Sequence, residues 1–374
     1  MGAQRLTIAA KVRNYPTEIA NLNHFQYSEG ESIDARVIVE ELVVSLYCLD
    51  HANQRAIFVE TPPDIDLAQV PFYYQAQYEA ALGLIAVSYE TLHQLANDVV
   101  LDPQRMILLY SVGRCGSTLV SRALSQADGI ANFSEPDVFT QLSVGRAADG
   151  SNDAEVSSLT RDCIKIMCAA TRSGGATAWS FKFRSVGVEL GDILYHNFPE
   201  AKVVFLYRHA DGWAKSAARA YRIYDRGGSS GQPRNQQMYA RLNPAIRTYM
   251  ATHRPVSPVE ILGSMWVSRI ERCLELQRQG VPMLCVRYED LQAAPQEVLD
   301  AMFTYCDLTV HDAAKLDRVV AQDSQAGTSL SQATLQESTK TLQEDDLVEL
   351  HRLIQQFSPA LTPTLVVPHT FRPA

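Results

Sequence analysis

Two rhythms of apolar residues alternate along this chain from about Pro103 onward. Short unbroken apolar runs predict strands buried on both faces over 105–111, 178–183, 202–207 and 282–287. Between and after them, apolar residues recur at helical spacing. They predict helices over about 117–127, 153–172, 186–196, 210–222, 258–279, 295–306, 311–322 and 343–357. Strand–helix alternation of this kind means an α/β fold, a mostly parallel sheet flanked by helices. The first hundred residues are less regular. ARVIVEELVVSLYC (35–48) and RAIFVE (55–60) read as strands and 73–95 as a helix, an N-terminal α+β extension. The expected division is therefore an extension over 1–100 and a larger domain over 101–374.

The chemistry lies where strands hand over to helices. After the first buried run comes the loop Ser111 to Gly116 (SVGRCG), and a helical pattern then opens on Ser117 and Thr118. Such a strand, glycine-containing loop and helix N-terminus form a phosphate cradle, because free backbone N–H groups and the positive dipole end face the anion. Arg114 adds a permanent charge with a fork of donors. The loop is not the ATPase type, which needs a lysine directly before the hydroxyl residue. Here Gly116 precedes Ser117, and the cation sits two positions earlier. A second buried run, VVFLY (203–207), ends in Arg208, and Ser216 follows eight residues later on the next helix. A guanidinium at a strand end and a hydroxyl two turns along the next helix can close on one phosphate.

These two segments together resemble the sulfotransferases that use 3′-phosphoadenosine 5′-phosphosulfate (PAPS). In that family the 5′-phosphosulfate loop reads roughly P-[KR]-[SC]-G-[ST]-T-[LW], and Gly113 to Leu119 is similar to it at all but the first position. The family's 3′-phosphate motif is an arginine with a serine eight residues on, the spacing of Arg208 and Ser216. Lys182, in AWSFKFR (178–184), stands where many members carry a lysine, and MLCVRYEDL (283–291) resembles their last core strand with its Y-E-D-L end. The likeness covers about residues 103–330 and implies a P-loop-NTPase-like three-layer core. It implies that Gly113, Arg114, Cys115, Gly116, Ser117 and Thr118 hold the 5′-phosphate and that Arg208 and Ser216 hold the 3′-phosphate. Arg114 and Lys182 would then stabilise the transferring group. Members close over the nucleotide with a C-terminal loop, often basic; DSQAGTSLS (323–331), without that basic signature, reads either as a cap on the 3′-phosphate through Ser324, Thr328 or Ser329 or as a helix–helix linker.

The reaction so implied moves a sulfuryl group from PAPS to a hydroxyl or amine of a small molecule, such as a secondary metabolite, without a metal. A base must take the acceptor's proton. Cytosolic members use a histidine two residues after the lysine, but this chain has Arg184 there, and an arginine stays protonated. Bacterial members use a glutamate in the loop after the first helix, which points to Glu135 in NFSEPDVF (132–139), with Asp137 second. His196 and His209 fit a helix end and a motif flank instead, and Tyr288, Glu289 and Asp290 read as anchors and caps. Phe72, Tyr73, Tyr74 and Tyr78 read as core packing.

Charge narrows the partners. With 33 basic against 42 acidic residues the formal charge is −9, which argues against nucleic-acid or membrane-surface binding. An anionic donor must then be captured by local cations. Seven cysteines without a C-x-x-C pair read as reduced, buried thiols of a cytoplasmic protein. Cys115, between a helix N-terminus and a cation, is the one to watch for a lowered thiol pKa. The start, MGAQRL, does not read as a signal peptide, and no apolar run approaches transmembrane length. The glycine- and serine-rich stretch 225–234 reads as a mobile, lid-like loop or a plain insertion. Two other readings share the core topology: a P-loop kinase, and a nucleotide-binding module without catalysis. The first is opposed by the missing lysine before Ser117 and by the lack of a clear magnesium-binding Asp-x-x-Gly.

Overall fold

A computed structural model describes residues 1–221, 242–253, 256–336 and 341–373. The stretch 225–234 lies outside the described residues. The chain divides into two compact units, Met1–Leu108 with Leu124–Lys202, and Leu109–Ala123 with Val203–Ala374.

The N-terminal part of the first unit carries an antiparallel sheet in the order β2-β1-β5-β4-β3. Its strands are β1 (Gly2–Lys11), β2 (Phe25–Asp34), β3 (Val44–Asp50), β4 (Arg55–Glu60) and β5 (Gly83–Ser88). The run 35–48, expected as one strand, divides into a helical turn α1 (Val37–Glu40) and then β3. The Asp34 carboxylate accepts from Arg36 N–H at 3.0 Å and turns the chain before α1. The expected helix over 73–95 is α2 (Tyr73–Ala80), β5 and α3 (Tyr89–Asp98). Gly83 to Val87 (GLIAV) is fully apolar and pairs with β4 from Gly83–Glu60 to Val87–Ala56. Ser88 then caps α3 by accepting from Thr91 N–H at 3.1 Å.

The second sheet has five parallel strands flanked by helices, in the order β10-β9-β6-β8-β7. They are β6 (Met106–Ser111), β7 (Ile130–Ser134), β8 (Ala178–Lys182), β9 (Lys202–Tyr207) and β10 (Leu284–Arg287). Strand β6 is buried along its whole length, as its unbroken apolar run requires, and it belongs to both units. Helix α4 (Ser117–Leu124) follows β6, and α8 (Ala210–Ala220) follows β9. Strand β7 and helix α5 (Val138–Gly145) lie where the sequence offers only a loop. Helix α6 (Asp153–Arg172) covers 153–172 as expected. The helix expected over 186–196 begins as a 3₁₀ stretch, Ser185–Leu190, before α7 (Gly191–Asn197). Helices α9 (Pro244–Met250) and α10 (Pro258–Arg278) precede β10. All seven cysteines are buried and none forms a disulfide.

Candidate functional site

The loop expected to hold a phosphate lies in the second unit. Strand β6 ends at Ser111, and Val112 N–H donates to Leu206 C=O of β9 at 3.0 Å, so the loop leaves from the sheet edge. Gly113, Arg114 and Gly116 all take left-handed backbone, with φ of 75°, 50° and 81°. Residues of this kind in close succession turn N–H groups inward and make an anion-binding concavity. At Gly116 only glycine fits, because a Cβ would stand 2.9 Å from Leu291 Cδ2 and 3.2 Å from the Tyr288 ring. Ser117 and Thr118 open α4 and are both buried. Cys115 is fully buried and its thiol donates to Leu206 C=O at 3.4 Å.

Two buried tryptophans hold the loop backbones. Trp213 on α8 donates from its indole to Val112 C=O at 3.1 Å, and Trp266 on α10 donates to Arg208 C=O at 2.9 Å. Arg208 leaves the end of β9 and lies over the Tyr288 ring at 4.3 Å, with Glu289 4.0 Å from its Nε. Glu289 also accepts from His209 N–H at 3.3 Å. Arg287 and Asp290 pair with each other. The Y-E-D-L segment thus backs the loop and the arginine.

The two predicted phosphate subsites meet. Arg114 Nε donates to Ser216 Oγ at 3.2 Å, and Arg208 Nη1 donates to Arg114 C=O at 3.4 Å. Burial, the largest influence, holds the Arg208 guanidinium below its ordinary pKa. Its Nε is buried and has no hydrogen-bond partner among the described residues. A Cβ on Gly212 would stand 2.8 Å from that Nε, so the absence of a side chain there keeps room for the guanidinium.

Sequence reasoning missed Gln325. Its Oε1 accepts from Arg114 Nη1 at 2.9 Å, and its Nε2 donates to Thr118 Oγ1 at 3.3 Å. The segment 323–331 thus reaches the loop through an amide rather than the expected hydroxyls: Ser329 is exposed, and Thr328 Oγ1 donates back to Gln325 C=O at 2.8 Å. A glutamine shortly after a helix gives no signal in a pattern search for serines, threonines and basic residues.

The candidate base lies in the first unit. Strands β7 and β8 pair in parallel with Ser134 opposite Lys182, and just beyond β7 Glu135 N–H donates to Lys182 C=O at 2.6 Å. Glu135 has left-handed backbone, φ 63°, and its carboxylate is ion-paired to Lys182. The Lys182 side chain is buried, with its ammonium 5.7 Å from the centre of the Phe72 ring. Asp137 is buried and its carboxylate is occupied, accepting from Ala20 N–H at 2.6 Å and Arg184 Nη1 at 3.1 Å. Arg184 also lies over the Tyr74 ring at 5.1 Å. Burial opposes its charge, but Asp137, Tyr74 and Glu135 outweigh this and raise its pKa above the ordinary value. Phe72, Tyr73, Tyr74 and Tyr78 are buried, as core packing requires. His196 is exposed in the last turn of α7, and His209 precedes α8.

No protein-family model matches the chain. No curated protein matches it as a relative. Among solved structures it is similar to a sulfotransferase from Alicyclobacillus acidocaldarius, at 13% identity over 70% of this chain and 94% of that one, TM-score 0.40. It is also similar to sulfotransferase STF9 from Mycobacterium avium, at 13% identity over 73% of this chain and 80% of that one, TM-score 0.45. A third is mouse sulfotransferase SULT7A1 complexed with PAP, at 11% identity over 74% and 93% of the two chains, TM-score 0.39. Likenesses this distant carry no argument about activity; the residues must carry it. Among the described residues, no helix is long and apolar enough to cross a membrane.

Proposed function

We propose that this chain is a sulfotransferase that takes PAPS as donor and transfers the sulfuryl group to a hydroxyl or amine of a small-molecule acceptor. The observation that carries this reading is the cation pair of the second unit. Arg114, on a left-handed loop before a helix N-terminus, is bonded to Ser216, and Arg208 is bonded to the loop backbone. A lone phosphate cradle serves many nucleotides; a second arginine, Arg208, bonded to the same loop suits a nucleotide carrying a second, separate phosphate. The buried Nε of Arg208, with no hydrogen-bond partner among the described residues, is the feature an anion would complete.

In this reading the loop N–H groups, Arg114, Ser117 and Thr118 hold the 5′-phosphate, while Arg208 and Ser216 hold the 3′-phosphate. The donor supplies an activated sulfuryl group on a phosphate leaving group. By analogy with phosphoryl transfer, the protein's work is positioning and stabilising charge on the leaving oxygen. Arg114 and the helix dipole of α4 do the second at fixed positions. Glu135 is the proposed base: an ionised carboxylate is an acceptor-only group that can take a proton, and Lys182 is its ion-pair partner. Lys182 can follow the developing charge once Glu135 takes the acceptor's proton. Asp137 is a poor base because its oxygens are already committed to Arg184 and Ala20 N–H.

The test is calorimetric titration with adenosine 3′,5′-bisphosphate and, separately, ATP with magnesium. Tight binding of the bisphosphate, weakened about ten- to a hundredfold in Arg208→Ala by loss of charged hydrogen bonds, is expected. Binding of ATP alone would sink the proposal.

A further inference from the structure

Gln325 touches two of the groups that a phosphate on this loop would use. Its carbonyl oxygen accepts from Arg114 Nη1 at 2.9 Å, as a phosphate oxygen would. Its amide nitrogen donates to Thr118 Oγ1 at 3.3 Å, occupying a hydroxyl lone pair at the start of α4. The backbone behind it is braced. Gln325 N–H donates to Asp323 Oδ1 at 3.0 Å, Thr328 Oγ1 donates to Gln325 C=O at 2.8 Å, and Arg122 Nη1 donates to Asp323 C=O at 3.4 Å. All of these residues belong to one unit. The contact is thus held by a turn with its own internal hydrogen bonds. It joins residues more than two hundred positions apart in the chain.

We propose that Gln325 is a further residue of the phosphate site, one that sets anion affinity by competing for Arg114 and Thr118. This rests on the nucleotide reading of the loop, and it adds a cost that the anion must meet on entry. A neutral amide is a weaker partner for a guanidinium than a phosphate is, so the exchange runs toward the anion. It nevertheless takes away two hydrogen bonds that have to be broken first. The amide holds the guanidinium with an oxygen acceptor, and it shields the loop from anions too weakly charged to displace it. The competing side chain therefore lowers the occupancy of the loop by weakly held anions such as chloride or acetate, while a doubly charged phosphate still displaces it.

The experiment is titration of the wild type and Gln325→Ala with adenosine 3′,5′-bisphosphate and with inorganic pyrophosphate. Gln325 lies on a partly exposed turn, so the variant is expected to fold, and its melting curve checks this. Competition predicts roughly five- to tenfold tighter binding in Gln325→Ala, the worth of one net hydrogen bond. Weaker binding would overturn the proposal and make Gln325 a direct nucleotide ligand; unchanged affinity would also overturn it. If the bisphosphate binds neither protein but pyrophosphate binds the variant more tightly, competition at the loop stands and the nucleotide reading falls. If neither anion binds either protein, both fall.

Discussion

Replacing Gly116 by alanine separates the two reasons a glycine is needed there. The first is backbone conformation: at φ 81° a Cβ costs about 1–2 kcal/mol. The second is packing: the new methyl would stand 2.9 Å from Leu291 Cδ2 and 3.2 and 3.3 Å from the Tyr288 ring. Overpacking against these neighbours, of which Leu291 is buried, adds about 1–3 kcal/mol. Gly280 provides the control in the same unit. It too has left-handed backbone, φ 86°, but an added Cβ meets nothing within 4 Å. Gly280→Ala should therefore lose only the conformational part, about 1–2 kcal/mol, and Gly116→Ala about 2–5 kcal/mol. Urea unfolding, compared at equal slope, measures both. The packing part should also reach the site, because Tyr288 carries the Arg208 guanidinium at 4.3 Å. A ring pushed aside by the added methyl moves that cation, so bisphosphate affinity should fall in Gly116→Ala and hold in Gly280→Ala. Equal destabilisation of the two variants would refute the packing argument. Full nucleotide affinity in a destabilised Gly116→Ala would refute the link from Tyr288 to Arg208.

Two other outcomes are expected. Glu135→Gln should keep bisphosphate affinity within about twofold, while turnover with PAPS and an identified acceptor falls about 10²- to 10⁴-fold, the usual worth of a positioned base; turnover within tenfold of wild type would remove Glu135 from the mechanism. His24 is buried, hydrogen-bonded to Tyr47 Oη at 3.2 Å, and its pKa is lowered chiefly by burial, with Glu18 opposing. The unfolded chain therefore takes up a proton before the folded one does. Stability should decline as pH falls below about 6.5, by up to about 1.4 kcal/mol per pH unit, and level off below the folded pKa. His24→Gln should flatten that part of the stability curve, and an unchanged slope would assign it to other groups.

The legible parts of this chain are those where one residue pattern has one physical solution. The run MILLYS can only be a strand buried on both faces, and it is β6. The glycines and Arg114 announce the loop because few other sequences tolerate repeated left-handed backbone beside a helix start. Strands β1 and β2 gave no such signal. Strand β2 reads FQYSEGESID and is exposed along nearly all of its length, so no apolar pattern marks it; its partner strand supplies the hydrogen bonds. Strand β7 was hidden for another reason. IANFS is short and mixed, and it is a strand because five consecutive residues find partners on β8, a tertiary fact that no local window contains. Gln325 shows the same limit at the site, where its role comes from a contact between distant parts of the chain.

Arg184 shows how a departure from a family pattern can be read physically. Where the resemblance leads one to expect a histidine base this chain has an arginine, and the structure gives that side chain ion-pair and backbone contacts. Ser134 and Lys182 are paired across β7 and β8, and the chain continues from each by one and two residues to Glu135 and Arg184. Two ion pairs then follow in sequence, Lys182 with Glu135 and Arg184 with Asp137. The second also fastens the N-terminal segment, since Asp137 accepts from Ala20 N–H at 2.6 Å and Arg184 donates to Thr17 C=O at 3.1 Å. Glu135, held at φ 63° just before Pro136, adopts a conformation that costs about 1–3 kcal/mol and persists only where its surroundings fix it. The Arg184–Asp137 pair, its carboxylate buried and its guanidinium partly exposed, is such a fixture two residues away. Breaking it by removing one partner would cost about 3–5 kcal/mol, more than the strain it restrains. The arginine that cannot be the base therefore holds in place the loop that carries the glutamate.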